Sequence, residues 1–311
     1  MRNHTLTHHQ VLTDIDKTVR GVLEDEFDIR KLRHKLQYLY SAMMSEYNDT
    51  LKYDETIHWF IATIQMLQGE YYASEIIWDT DLVYEFVDEI QSYETEYSLM
   101  KIKFRLQERR NTQKLTKYVN QLVSHYSRVL MVRVDLKYHN SDKTEIGVDE
   151  FREHMRVLRE RLSNKDGCIK GLEGYAWALE QGYRRTESGN LHCHLLLIYS
   201  GAERKNAYYL AKEIGEIWES ITNGAGGYFN SHTSGYIKML KKIGQSPVAM
   251  VHRENSHEVK KLLEVSEYLT TKSKDVDGKF NQRLKVKVPN MRTFGTDQFD
   301  IKKRRDKAIA K

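Results

Sequence analysis

The sequence predicts an α+β chain: a ferredoxin-like antiparallel sheet with helices on one face, preceded by an all-helical N-terminal domain. Three observations predict it. Only two prolines occur in 311 residues, Pro247 and Pro289, so nothing interrupts helical periodicity through residues 10–126. From Ser127 onward, short β-branched and apolar runs alternate with helix-spaced ones. Charge changes at the same place: residues 1–126 carry 15 Lys and Arg against 20 Asp and Glu, a net of −5, whereas residues 127–311 carry 34 against 24, a net of +10.

In the first half, Leu32, Leu36, Leu39 and Met43 recur at helical spacing, as do Ile57, Phe60, Ile61, Ile64 and Leu67. No Lys or Arg lies between Lys52 and Lys101, and residues 70–97 hold nine acids, which reads as a solvated helix face or an acidic docking surface. Val129 to Leu136 is a strand, and Asn140-Ser141-Asp142 a turn. Phe151, Met155, Leu158 and Leu162 mark a helix ending near Asn164 and Gly167. Gly174 to Glu180 is a second strand, joined through the polar stretch Gly182–Asn190 to a third, Leu191–Tyr199, as a hairpin. A helix follows with Ala207, Leu210, Ile214, Ile217 and Trp218, then a glycine-rich loop, Asn223 to Gly227. Val248–Val251 reads as a short strand, Ser256 to Lys272 as the last helix and Leu284–Val288 as an edge strand.

Composition narrows the functional classes. Two cysteines, Cys168 and Cys193, do not make a disulfide scaffold and fit a reducing cytoplasm. No apolar run approaches the roughly 18–20 residues that span a bilayer, and Met-Arg-Asn-His-Thr lacks an apolar signal core. His4, His8 and His9 read as scattered histidines of a frayed terminus. The basic second half suits an electrostatic partner such as nucleic acid, and the tail Lys302-Lys303-Arg304-Arg305 adds to its field.

The segment Leu191-His192-Cys193-His194-Leu195-Leu196-Leu197-Ile198-Tyr199 carries the chemistry. Side chains at i and i+2 of a strand share a face, so His192 and His194 project together while Cys193 packs opposite. Two imidazoles on an apolar strand are a costly core and a natural divalent-metal site. In the hairpin, Glu180 comes level with one of them and adds a carboxylate oxygen, leaving the open positions that a catalytic metal needs. A metal acting on phosphate needs a nucleophile, and tyrosine serves where a covalent link to DNA must be kept. A lysine four residues later would share its helix face. Tyr-x-x-x-Lys occurs at Tyr97/Lys101, Tyr208/Lys212 and Tyr268/Lys272. Tyr97 falls in the acidic half and Tyr208 among packing residues, whereas Tyr268 lies on the final helix, which can cross the sheet toward the metal.

Paired histidines on a central strand, an upstream acid and Tyr-x-x-x-Lys on a later helix resemble the HUH-type rolling-circle replication initiators. Within these, Glu180-Gln181-Gly182 with the His192–His194 strand looks most like the replication proteins of filamentous phages and their prophage-borne relatives. Arg133-Val134-Asp135-Leu136, Trp218 before the glycine-rich loop and Arg292-Thr293-Phe294-Gly295 add to that likeness, which covers about residues 127–297. Cys193 stands where a bulky aliphatic is usual, the loop from Glu180 to His192 is longer than the compact form, and Glu264 occupies the position of a second tyrosine.

The resemblance implies a metal-dependent, single-tyrosine nickase in three parts: a helical domain at 1–126 of unassigned role, an HUH-like nuclease domain at 127–297 and a basic tail at 298–311. Glu180, His192 and His194 would hold Mg²⁺ or Mn²⁺. Tyr268 would attack the scissile phosphate, leaving a 5′-phosphotyrosine and a free 3′-OH, with Lys272 orienting or neutralising. Expected partners are single-stranded DNA, a replication origin and host replication proteins in the cytoplasm of a bacterial cell, with no membrane. A plasmid relaxase or transposase of the same chemistry, a non-catalytic DNA-binding regulator on the same fold, and a zinc hydrolase are the rival readings. The charge split also predicts that residues 127–311 nick single-stranded DNA when expressed alone.

Overall fold

A computed structural model of the chain describes residues 6–69, 76–139, 146–165, 167–182, 190–245, 247–270 and 276–299. Four helices, α1 (His8–Leu23), α2 (Ile29–Ser45), α3 (Glu55–Gln68) and α4 (Thr80–Gln91), form the N-terminal unit, with a two-residue strand β1 (Lys52–Tyr53) between α2 and α3. Caps define their starts: Thr7, Asp28, Asp54 and Asp79 each accept a backbone N–H of the first turn. Their apolar stripes meet in one core that includes Leu12, Ile15, Leu36, Leu39, Phe60 and Phe86.

The 32-residue helix α5 (Glu94–His125) leads into the sheet region. There follow β2 (Arg128–Tyr138), α6 (Val148–Asn164), β3 (Leu172–Gln181), β4 (Leu191–Ser200), α7 (Ala207–Ile221), β5 (Gly226–Asn230), α8 (Ser234–Lys242), β6 (Met250–His252), α9 (Ser256–Ser266), α10 (Val276–Asn281), β7 (Val286–Lys287) and β8 (Phe294–Thr296). The main sheet is antiparallel with strand order β5-β2-β4-β3-β8, and β6 pairs with the start of β2. The order β5-β2-β4-β3 is the ferredoxin-like arrangement, with β5 as its fourth strand in place of the Val248–Val251 run that the sequence suggests.

The sequence places helices on one face of this sheet, and the structure covers both. Leu130, Val132, Val134 and Leu136 of β2 pack with Cys193, Leu195 and Leu197 of β4 beneath α6 and α7. The alternate residues Val129 and Met131, with Ala176, Ala178, Leu196 and Ile198, pack beneath α5 and α9. Strands apolar on both sides need cover on both sides. One consequence is a shifted boundary. Leu115, Tyr118, Val119 and Leu122 of α5 belong to the sheet's second core, and the Tyr175 N–H donates to the Tyr118 hydroxyl at 3.2 Å. Gly174 lets that ring approach, since a Cβ there would overlap the Tyr118 side chain. A cut at residue 127 would remove this cover.

Three elements depart from the sequence reading. Two of the five residues of the glycine-rich loop, Gly226 and Gly227, open strand β5, and they sit against Trp218 and His139, where a Cβ would overlap. The stretch 284–288 contributes β7, which pairs with β1 of the N-terminal unit rather than with the main sheet. Helix α9 ends at Ser266, and a 3-10 turn, Glu267–Leu269, carries Tyr268. Among the described residues no helix is long and apolar enough to cross a membrane. The turn at 140–142, most of the stretch 182–190, His4 and the basic tail from residue 300 lie outside the described residues.

Candidate active site

The β3–β4 hairpin sets the geometry. Glu180 pairs directly with His192, and Ala178 with His194, so one carboxylate and two imidazoles share the sheet face beneath α5 and α9. Glu180 Oε2 lies 3.5 Å from His192 Nε2 and 3.3 Å from His194 Nε2. The three candidate ligand atoms fall within 4.8 Å of one another, the only such His/Cys/Asp/Glu group among the described residues. Cys193 faces the other way, fully buried in the α6–α7 core, and acts there as a small hydrophobe.

The outer partners of the imidazoles fix what they offer. His194 Nδ1 lies 2.8 Å from Asp135 Oδ1, and His192 Nδ1 lies 3.2 Å from the Asn190 carbonyl. With both partners acceptors, each neutral ring donates at Nδ1 and presents its lone pair at Nε2, toward Glu180. Three lone-pair ligands converging on one point are an arrangement that a divalent cation satisfies, and a carboxylate behind a ligating histidine is the usual support for one. The residues present therefore fit a divalent metal ion.

Electrostatics keeps the acids ionised. Burial would raise the Glu180 carboxyl, but Lys279 and the two imidazoles hold it well below the usual carboxylate range. Asp135, likewise opposed by burial, is held low by His194 and Arg133, whose Nη2 donates to Oδ2 at 2.7 Å. Burial resists charging His194, but Asp135 and Glu180 outweigh it and raise its pKa.

Tyr268 reaches the same place. Its ring meets His194 edge-on, with centroids 4.9 Å apart, and lies over the Arg133 guanidinium at 3.6 Å. Burial raises the phenol pKa and Arg133 opposes that rise. The Arg133 N–H donates to His232 Nε2 at 3.0 Å, and burial with the nearby guanidinium pushes the His232 pKa down to about 4, so the ring stays neutral.

Of the residues singled out in the sequence, Glu180, His192, His194 and Tyr268 come together. Lys272 lies outside the described residues, and the helix that would have placed it four positions along one face stops at Ser266: Thr270 is extended, and its hydroxyl is engaged with the Glu267 carbonyl. Tyr97 instead donates to Glu24 in the helical unit. Tyr208 sits on α7, which packs on the opposite face; neither it nor Tyr209 is core, as both are about half exposed.

Sequence reasoning quoted Arg133 and Asp135 only as part of the family likeness and gave Lys279 no role. The first two were visible in principle: two charges at i and i+2 within an apolar strand obey the same rule as the histidines. Lys279 left no such trace. It is buried, donates to Glu180 Oε1, and donates to the Leu269 carbonyl at 3.2 Å, tying the Tyr268 turn to the carboxylate.

No curated protein and no solved structure matches the chain. Residues 91–285, which begin just before α5 and contain every site residue above, match the family model of the YagK/YfjJ C-terminal domain. The match starts where the sheet's helical cover starts, not at the change of texture near Ser127, and it spans more than half of the sequence: the chain belongs to the YagK/YfjJ C-terminal domain family.

Proposed function

We propose that the chain is a metal-dependent, single-tyrosine DNA nickase that starts rolling-circle replication, with Glu180, His192 and His194 as metal ligands and Tyr268 as nucleophile. The observation that carries this reading is the contact of Tyr268 with His194. A phenol lies against a two-imidazole, one-carboxylate cluster, which is what phosphoryl transfer to tyrosine requires.

In the proposed step the Tyr268 oxygen attacks the scissile phosphorus and the phosphorus–O3′ bond breaks. The phenol gives up its proton, and the departing 3′ oxygen takes one up. The products are a 5′-phosphotyrosine and a free 3′-OH from which a host polymerase extends. Glu180, His192 and His194 would hold a divalent cation, which would supply positive charge next to the phosphate. Asp135 orients His194, Lys279 holds Glu180 by the oxygen that does not face the imidazoles, and Arg133 beneath the Tyr268 ring favours the phenolate. Arg133 and Lys279 bring the positive charge that the Tyr-x-x-x-Lys pattern sought in Lys272.

The test is a covalent adduct. The full chain is incubated with single-stranded DNA from its own replicon and Mn²⁺, then run on a denaturing gel. A shifted protein–DNA band is expected, lost in Tyr268→Phe and retained in Tyr208→Phe, while Tyr268→Phe still melts and binds Mn²⁺ as wild type does. Full adduct formation by Tyr268→Phe would sink the assignment.

A further inference from the structure

Beside the site, at the β5 edge of the sheet, lies a surface that the proposed chemistry does not use. From Ser220 to Arg253 the chain contains no Asp or Glu, and α8, in the middle of this stretch, carries Lys238, Lys241 and Lys242. None of the nine residues of α8 is buried. Lys238, Met239, Lys241 and Lys242 are exposed, as is Ile243 just beyond the helix. So short a helix gains little from propensity alone, and its apolar side chains are at most half-buried.

Its position is fixed relative to Tyr268. Phe229 of β5 stands opposite Asp135, and Asp135 opposite His194, so all three point to the same sheet face. With strands ~4.8 Å apart, Phe229 sits about 10 Å across the sheet from His194. The Phe229 ring is 37 % exposed and meets Tyr236 of α8 edge-on, with centroids 5.0 Å apart. The turn between β5 and α8 grips the site strand: the Ser231 hydroxyl donates to the Arg133 carbonyl at 2.9 Å, and His232 accepts the Arg133 N–H. Arg133 lies against the Tyr268 ring, Phe229 shares that face and meets Tyr236, and α8 carries the three lysines on from Tyr236.

We propose that the Phe229–Tyr236 pair and Lys238, Lys241 and Lys242 form the track along which single-stranded DNA enters the site. The aromatic pair stacks an unpaired base, and the lysines contact the phosphates that follow. Aromatic faces that take bases without reading them, beside a positive strip that follows the backbone, are the general means of holding single strands. An acidic protein would match the lysines but would have no use for two rings on the catalytic face. The choice of DNA rests on the nickase reading; the track itself rests on the acid-free stretch and the register.

The experiment uses the full chain and a fluorescein-labelled oligothymidylate of about 15 nucleotides, followed by anisotropy over a range of KCl concentrations. Each lysine–phosphate contact contributes about 0.7 to the log–log salt slope on single strands. The variant Lys238→Gln/Lys241→Gln/Lys242→Gln should therefore bind more weakly, with a slope about 2 smaller. Tyr236→Ala or Phe229→Ala should weaken binding about 5- to 150-fold, from about 1–3 kcal/mol per stacked base at 1.4 kcal/mol per decade. Melting temperature and Mn²⁺ affinity should match wild type in all three. Wild-type affinity and slope in the triple-lysine variant would overturn the track. So would a wild-type chain that binds no oligonucleotide, or a triple variant whose effect is a changed mass in sedimentation without DNA, which marks a contact between copies. The two readings separate on the denaturing gel. Track variants that bind like wild type while wild type forms the adduct remove the track and leave the nickase. A wild type that binds with the predicted variant effects but forms no adduct does the reverse.

Discussion

His194 is held from both sides, by Asp135 at Nδ1 and by the Glu180 oxygen facing Nε2. Removing the outer partner leaves all three proposed ligands in place but frees the ring to rotate and to change tautomer. Asp135→Ala should therefore lower Mn²⁺ affinity by about 10- to 100-fold, measured by calorimetry below the variant's own melting transition, since Arg133 also loses its buried partner. An affinity equal to wild type would place Asp135 outside the site's support. The imidazoles were legible because strand alternation turns a pair of polar residues into a shared face. Arg133 and Asp135 obey that rule, but charges on a strand read equally well as a solvated edge until α5 and α9 are seen to cover that face. Lys279 was not legible at all: a lone lysine in Asp-Gly-Lys-Phe has no pattern, and its role comes from where the chain passes.

At the scale of elements, β4 lies at the centre of the order β5-β2-β4-β3-β8 with apolar cover on both faces, and Leu195 and Leu197 are fully buried beneath α6 and α7. Leu197→Ala should cost about 2–5 kcal/mol through lost transfer energy and the cavity left behind. Denaturant unfolding should show this as a lower midpoint with an unchanged slope. A cost below 1 kcal/mol would mean the sheet can collapse around the gap. Long, strongly patterned elements were legible: β2, β3, β4, α6 and α7 fall where periodicity puts them. The short ones were not. β5 begins at two glycines chosen for close approach to Trp218 and His139, so its residue types report the neighbour rather than the strand. Helix α9 gives way at Ser266 to the 3-10 turn Glu267–Leu269, closed by the Thr270 hydroxyl on the Glu267 carbonyl, and periodicity does not register that change.

On the scale of the whole molecule, the helical unit and the sheet are joined by buried charge. Arg283 donates from one Nη2 to Asp16 and to Asp54, each at 2.6 Å, and Lys285 lies 3.5 Å from Asp16. Val148 and Val286 also belong to the helical unit's core. Arg283→Ala would leave two buried carboxylates short of their principal cation and should destabilise the chain by about 3–5 kcal/mol, read by chemical unfolding. A loss within the range of a surface ion pair, about 0–1 kcal/mol, would show the two units to be independent. The sign change in charge between the halves was legible in composition. Their mutual dependence was not, because it is carried by three or four buried ions in a chain of 93 charged residues.

The bond between Asp16 and Arg283 closes a loop of 267 positions, and that between Glu180 and Lys279 one of 99. Synthesis runs from the N-terminus, so α1 to α4 can collapse early, yet Asp16 and Asp54 then wait inside for cations near the far end of the polypeptide. The hairpin bearing the histidines is in the same position, formed long before the lysine that braces its carboxylate. Residues 276–288 thus act as a closing stitch: one short stretch secures the interior of a unit made well before it and completes the site. Assembly of the site waits until this stretch has been made, and a chain that stops short of it holds the carboxylate and imidazoles without the brace that sets them.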